Sequence, residues 1–269
     1  MKLFTNKKKL REEIGKINNI SFVPTMGFLH KGHESIIKKS VNMSGKTLVS
    51  IFVNPKQFNS KKDLKSYPRN TKNDIEILKK LKIDYLYKPS YADIYKFKTK
   101  NKIYLDKFAK DLCGQFRRGH FKGVIDVVNR LLEITNPKRI LLGNKDFQQL
   151  YLIKKHIMKN KIKTQVFPCK TIRDKNFIAY SSRLKKLNHN EKTKLIKIIK
   201  VLKKYKKDLI LKKQVYNFSK IKKKIISIGA RNVDYIKLID LKTLKKPKKN
   251  KFNLFYAFYI GNVRLIDNF

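Results

Sequence analysis

Tryptophan is absent from the 269 residues, and cysteine occurs only twice, at Cys113 and Cys169. Two cysteines without a framework spacing exclude a disulfide scaffold and fit a reducing compartment. Five histidines and those distant cysteines do not offer the clustered spacing of a structural metal centre. Without Trp, the large core side chains are 17 Phe and 13 Tyr, within a hydrophobic fraction of 41%. That is enough for one large domain or two unequal ones. No apolar run approaches membrane-spanning length. Met1-Lys2-Leu3-Phe4 leads into a charged helix without a signal-peptide apolar segment, so the expected location is cytoplasmic. No internal repeat suggests a solenoid.

Acidic residues are also scarce, 19 against 67 Lys and Arg, for a formal net charge of +48. Such a surface attracts polyanions at low salt. The positive residues are spread along the whole chain, mostly as Lys, and no aromatic-plus-glycine RNA motif accompanies them. Lys, Asn and Ile, all encoded by AT-rich codons, are enriched together, which accounts for the charge without a ligand. No specific nucleic-acid partner is expected, and a basic nucleic-acid-binding protein is the rival reading of the composition.

What is present is an alternation of short β-like runs and helical stretches. Strands are expected at Phe22 to Pro24, Thr47 to Val53, Asp84 to Tyr87 and Arg139 to Gly143. Helices are expected at Lys31 to Met43, Thr71 to Lys82, Val124 to Asn136 and Phe147 to Lys159. This order predicts a parallel sheet with helices on both faces and a ligand beyond the carboxyl ends of its strands, where His30, Asn54 and Lys145 fall. After about Thr171 the pattern changes. Lysine-rich helices near 190–211 and 218–228 precede β-like runs near 235–239 and 254–260, and the lysine run 245–251 reads as a solvated loop.

The most informative segment is Phe22-Val23-Pro24-Thr25-Met26-Gly27-Phe28-Leu29-His30-Lys31-Gly32-His33. It reads as a buried strand, a glycine turn, and two histidines about one helical turn apart at a helix start. Free N–H groups and partial positive charge at such a helix start suit a phosphate. His-x-Gly-His resembles the signature of the nucleotidylyltransferase superfamily. The alternatives for the pair on its own are a metal half-site or exposed polar residues at a turn.

Three further segments narrow the substrate. Phe52-Val53-Asn54-Pro55-Lys56-Gln57-Phe58 delivers two carboxamides to the end of a strand, although Asn-Pro after a strand is often only a turn. Gly143-Asn144-Lys145-Asp146-Phe147-Gln148-Gln149 opens a helix. There Lys145 suits phosphate and Gln149 a substrate, and Asp146 suits either a ribose hydroxyl or a helix cap. Ser181-Ser182-Arg183 puts two hydroxyls beside a guanidinium, a phosphate clamp or a common tripeptide.

In order and content these segments resemble the pantothenate synthetase (pantoate–β-alanine ligase) family. Its pattern runs Pro-Thr-Met-Gly-x-Leu-His-x-Gly-His, Phe-Val-Asn-Pro-x-Gln-Phe, Tyr-Pro-Arg, Arg-Pro-Gly-His-Phe-x-Gly-Val, Gly-x-Lys-Asp-x-Gln-Gln and Ser-Ser-Arg, ending in Arg-Leu-Ile-Asp-Asn. The last stands here as Arg264 to Asn268, and the resemblance runs from about Phe22 to that point. Departures are Cys113 for a glutamate, Arg118 for a proline, and Tyr180 and Leu184 for Met and Asn.

The resemblance implies an α/β fold, with a Rossmann-like parallel sheet at residues 1–172 binding ATP and pantoate. A smaller α+β lid domain at 173–269 would close over the site. It implies ATP-dependent condensation of pantoate with β-alanine through a pantoyl adenylate, with Mg2+, in a homodimer. His30, His33, Lys145 and Arg183 are then the catalytic candidates. Met26, Gly27, Gly143, Asp146, Ser181 and Ser182 join them around ATP, with ribose at Gly143 and Asp146. Gln57, Gln149, Asn54, Met26 and Phe58 would serve pantoate and β-alanine. His120 is expected in a glycine-flanked loop, either covering the site or purely structural. Another nucleotidyl-transferring enzyme is the second rival; it explains the histidines but not the paired carboxamide motifs.

Overall fold

A computed structural model describes residues 1–212, 215–247 and 252–269, so part of the lysine run 245–251 lies outside the described residues. The chain divides into two compact units, Met1–Thr171 and Ile172–Phe269.

The first unit begins with β1 (Lys2–Phe4), α1 (Lys7–Ile14), β2 (Ile20–Thr25), α2 (Lys31–Val41) and β3 (Lys46–Ile51). Next come α3 (Lys61–Lys65), α4 (Thr71–Lys80), β4 (Tyr85–Tyr87), α5 (Tyr91–Tyr95), α6 (Cys113–Phe116) and α7 (His120–Thr135). It closes with β5 (Arg139–Gly143), α8 (Phe147–Lys159) and β6 (Gln165–Cys169). The six strands form one parallel sheet in the order β1-β4-β3-β2-β5-β6. β2 and β3 are buried almost throughout, as expected of central strands covered on both faces. From β2 the chain adds β3 and β4 on one side, and β5 and β6 lie on the other. The topological switch point therefore falls between β2 and β5.

That switch point is physically open. β2 pairs with β3 through Thr25 but with β5 only at Ser21 and Phe22. Pro24, expected to end the strand, is inside it and tolerated because its ladder to β5 has already parted. β1 and β6 were not expected as strands, since each is short and lies at an edge of the sheet. β3 stops at Ile51, two residues before the expected Val53. α7 starts four residues earlier than expected, after Gly119 in a left-handed conformation, so His120 is the first residue of a helix rather than part of a loop.

The second unit contains α9 (His189–Ile210), α10 (Phe218–Ile228), and an antiparallel sheet of β7 (Asn232–Ile239), β8 (Asn253–Ile260) and β9 (Val263–Asn268). α9 starts with a reciprocal capping box, Asn188 accepting from Glu191 N–H and Glu191 from Asn188 N–H. Its apolar face (Leu195, Ile198, Ile199, Leu202) packs with Ile236, Leu254, Tyr256 and Phe258. The Arg264-Leu265-Ile266-Asp267-Asn268 motif is β9 itself, and its charges are structural. Arg264 pairs with Asp234 at 2.7 Å. Asp267, 5% exposed, receives both arms of the Arg173 guanidinium and the Tyr256 hydroxyl.

Candidate active site

The Thr25-to-His33 turn is shaped by groups far away in sequence. Gly27 and Phe28 both have positive φ, +76° and +52°. A Cβ on Gly27 would sit 2.9 Å from Asp74 Oδ2 and 3.0 Å from Ile51 Cγ2, so only glycine fits. Asp74, on the first turn of α4 and 1% exposed, accepts the Phe28 N–H at 2.8 Å and the Leu29 N–H at 2.7 Å. Thr25 Oγ1 donates to the Ser50 carbonyl at 2.8 Å and accepts from Gly27 N–H at 3.1 Å. Neither Asp74 nor Thr25 was among the expected site residues. Asp74 lies 46 residues from the turn, and nothing local marks it.

His30 caps α2, its Nδ1 accepting the Gly32 N–H at 3.2 Å. A backbone N–H can only donate, so Nδ1 carries no proton and the neutral ring holds its proton on Nε2. His33 stacks on it with centroids 3.9 Å apart and rings 25° from parallel. Burial, with Lys145 second, lowers the His30 pKa to about 4. Burial, then His30 and Lys145, hold His33 well below the ordinary value. Near neutral pH both rings are therefore uncharged. His33 Nδ1 is buried without a hydrogen-bond partner. An unmet acceptor is the cheaper form of that defect, which favours the proton on His33 Nε2 as well.

His156, fully buried in α8, is neutral for a different purpose. Its Nδ1 accepts from Tyr104 N–H at 3.2 Å, its Nε2 faces Asn129 Oδ1 at 3.1 Å, and burial lowers its pKa to about 4. The unfolded chain binds the proton from about pH 6.5 downward and the folded chain only near 4. The unfolded state therefore binds more protons in that window, and stability falls as pH drops through it. The loss attached to His156 is on the order of 3 kcal/mol. Urea unfolding at pH 7 and pH 4.5 measures it, and the difference shrinks in His156→Gln.

Across the switch point, Lys145 and Asp146 follow β5. Lys145 Nζ lies 3.5 Å from Asp146 Oδ1, with the lysine side chain 18% and the aspartate 46% exposed. Asp146 stands at the N-cap position of α8 but makes no side-chain capping bond, so its carboxylate is not committed to the helix. Gln149, the third residue of α8, is half-buried. Its neighbour Gln148 is structural: it accepts from Cys113 N–H at 3.0 Å and donates to the Phe108 and Asp111 carbonyls at 2.7 Å each. The backbone at Cys113, where the family pattern has glutamate, is thus held by Gln148.

The carboxamide pair sits at the end of β3. Asn54, expected to meet a substrate, is 1% exposed and bonded to protein at both ends of its amide, to Lys56 N–H and Tyr95 on one side and Gly123 and Gln57 on the other. That placement corrects the expectation: Asn54 holds its neighbour rather than a ligand. Gln57 is 9% exposed, and its Nε2 lies 2.9 Å from Met26 Sδ. Phe58 packs edge-on to Tyr67, centroids 5.6 Å apart. His120 Nδ1 lies 2.7 Å from the Gln57 carbonyl and its Nε2 3.0 Å from Arg117 Nη1, so its observed bonds brace this turn. Gly123 explains the last glycine of that motif. A Cβ there would lie 2.1 Å from the Lys56 carbonyl oxygen, because α7 runs directly against the turn. Arg69, bonded to the Leu64, Lys65 and Tyr67 carbonyls, closes the end of α3.

In the second unit Ser181 accepts from Arg183 N–H at 3.3 Å, and Ser182, 7% exposed, begins a 3-10 turn through Lys186. The structure thus brings Met26, Gly27, His30, His33, Gly143, Lys145 and Asp146 to the carboxyl ends of β2 and β5. Gln57 and Phe58 follow β3, and Ser181, Ser182 and Arg183 belong to the other unit.

Comparison with known proteins fits this geometry. The family model for pantoate-beta-alanine ligase matches residues 2–269. Pantothenate synthetase of Francisella philomiragia is 40% identical over 97% of this chain and 92% of its own, and that of Clostridium botulinum is 37% identical over 93% and 91%. Among solved structures, the Francisella tularensis pantoate-beta-alanine ligase, complexed with beta-gamma ATP and beta-alanine, superposes with a TM-score of 0.87. It is 37% identical, covering 100% of this chain and 97% of that one. Pantothenate synthetase from Thermus thermophilus gives 0.88 at 25% identity, covering 100% and 99%. With a parallel sheet open at its switch point, neutral paired histidines on one side and a lysine on the other, the chain belongs to the pantoate-beta-alanine ligase family.

Proposed function

We propose that the site carries out its family's reaction, ATP-dependent condensation of pantoate with β-alanine to pantothenate, in two steps. A pantoate carboxylate oxygen attacks the α-phosphorus of ATP, the bond to the bridging oxygen breaks, and pyrophosphate leaves. The β-alanine amine then attacks the acyl carbon of the adenylate; AMP leaves with the carboxylate oxygen, and the amine loses a proton. A carboxylate resists acyl transfer until one of its oxygens belongs to a good leaving group, and AMP provides that.

The single observation carrying this reading is the pair of neutral, stacked histidines after β2, close enough to Lys145 to feel its charge. Neutral His30 and His33 donate from Nε2 to phosphate oxygens without competing for protons. Lys145 adds the charge that follows electrons onto pyrophosphate. Asp146 and the Gly143 backbone suit ribose, and Gln57, Gln149, Met26 and Phe58 suit pantoate. By the family resemblance, Ser181, Ser182 and Arg183 serve the ATP phosphates and the second unit acts as a lid that excludes water from a hydrolysable adenylate. Neither cysteine is placed as a nucleophile: both are buried, and burial raises the Cys169 thiol pKa.

Mg2+ enters this reading as the counterion of ATP. Among the described residues no three His, Cys, Asp or Glu side chains come together, which favours coordination by phosphate oxygens and water. A cytoplasmic homodimer completes the reading and rests on the family resemblance; no described helix is long and apolar enough to cross a membrane.

Product analysis with ATP, Mg2+, pantoate and β-alanine, omitting one component at a time, tests the whole proposal. AMP and pantothenate should form only in the complete mixture. AMP formation independent of pantoate would rule the reading out in favour of another nucleotidyl transfer.

A further inference from the structure

We propose that Tyr95 is a positioning residue for pantoate, acting through Asn54 to fix which end of the Gln57 carboxamide faces the substrate. The inference rests on the reading of Gln57 as a pantoate-binding group.

The polarity of the chain follows from its fixed ends. Asn54 Oδ1 faces the Lys56 backbone N–H at 3.2 Å, a group that only donates, and Asn54 Nδ2 faces the Gly123 carbonyl at 3.0 Å, a group that only accepts. The amide can therefore sit one way round only. The Tyr95 hydroxyl, 2.7 Å from Oδ1, must then donate. The second Nδ2 hydrogen goes to Gln57 Oε1 at 3.2 Å, so the Gln57 oxygen is turned toward Asn54. What remains is Nε2, with one hydrogen toward Met26 Sδ. Its other hydrogen is available for a substrate oxygen. Gln57 is thus oriented with its N–H end away from Asn54, which suits the carboxylate of a hydroxy acid.

Tyr95 is itself held rigidly. It ends α5 with Lys56 Nζ 3.9 Å and Arg130 Cζ 5.0 Å from its ring centroid. Asp126 ties those two cations together, 3.6 Å from Lys56 Nζ and 2.7 Å from Arg130 Nε. Arg130 also donates to the Ile94 and Phe97 carbonyls at 3.3 and 2.7 Å, which locks the end of the helix. Burial, reinforced by Asp126, raises the phenol pKa, so the hydroxyl stays a donor. Its oxygen makes no other hydrogen bond among the described residues. Tyr95 lies 38 residues from Gln57 in sequence.

Tyr95→Phe removes the donor and leaves the ring between its cations. The expected result is a KM for pantoate raised about tenfold, the scale of one buried hydrogen bond. The KM values for ATP and β-alanine should stay within about twofold, since neither substrate uses this chain of bonds. In a Gln57→Ala background the Tyr95→Phe effect should disappear, because the residue it acts through is gone. An unchanged pantoate KM, equal rises for all three substrates, or the same loss without Gln57 would each overturn the inference.

A second measurement needs no variant. On adding pantoate to the wild-type protein, the side-chain amide NMR signal of Gln57 should shift while that of Asn54 stays protected and nearly fixed. Equal shifts would mean that Asn54 meets the substrate directly, and the inference would fail. If wild-type turnover proves independent of pantoate, the functional reading fails and takes this inference with it. Pantoate-dependent turnover with Tyr95→Phe unchanged would sink the inference alone.

Discussion

Lys145→Ala is expected to lower kcat for pantoate-dependent AMP formation by about a hundred- to a thousandfold, the range seen when one preorganised charge-stabilising donor is removed. The side chain is largely enclosed, 18% exposed. Its charge is close enough to contribute to the depressed pKa values of both His30 and His33. During adenylation negative charge moves onto the departing pyrophosphate, and an enclosed ammonium is worth more there than in water. Lys145→Arg should restore little, because a planar fork cannot replace a compact ammonium in an enclosed space. The same substitution to alanine should let the His30 pKa drift upward from about 4, since one of its depressing causes is gone while burial remains. Single-turnover AMP formation and a histidine NMR titration read the two effects. A rate within tenfold of wild type would remove Lys145 from the chemistry.

Asp74→Ala should be the most damaging change outside the residues proposed to touch substrate. It strips the acceptor from two buried N–H groups, those of Phe28 and Leu29, in a turn whose backbone already sits at positive φ. Hydrogen bonds to a charged acceptor put the loss at about 2–4 kcal/mol, to be read by urea unfolding. The turn delivers His30 and His33, so kcat/KM should also fall about a hundredfold, as expected from misplacing catalytic groups by about an ångström. Asp74→Asn should recover only part of this, because its NH2 would oppose one of the two N–H donors. If unfolding is weakened while kcat/KM for the folded fraction is unchanged, the carboxylate stabilises the fold without positioning the histidines.

The contrast between Lys145 and Asp74 marks how far the chain could be read before its fold was known. Lys145, His30 and His33 lie in continuous motifs directly after apolar strands, so their chemistry and their placement at strand ends are written locally. The helices at Phe147–Lys159 and Phe218–Ile228 were legible for the same reason: apolar periodicity and end signals are properties of neighbours in sequence. The edge strands β1 and β6 were not, because a short, half-covered strand has no alternation long enough to register. Arg264 to Asn268 was recognisable as a motif, but its role in holding Arg173 and Asp234 depended on which strands it met.

Sequence alone therefore determined the family, the parallel α/β sheet, and the two histidines and lysine that follow its strands. These depend on residue type and short-range order. Tertiary structure decided which polar groups remain available to a ligand. Asn54 and Gln57 look alike in sequence, yet the first is spent on Gly123, Lys56 and Tyr95 while the second keeps one N–H to offer. Asp74 and Tyr95 gain their importance in the same way. A hydrogen bond is assigned by distance and direction between groups that the chain brings together from 41 to 46 residues apart, and no local pattern records that meeting.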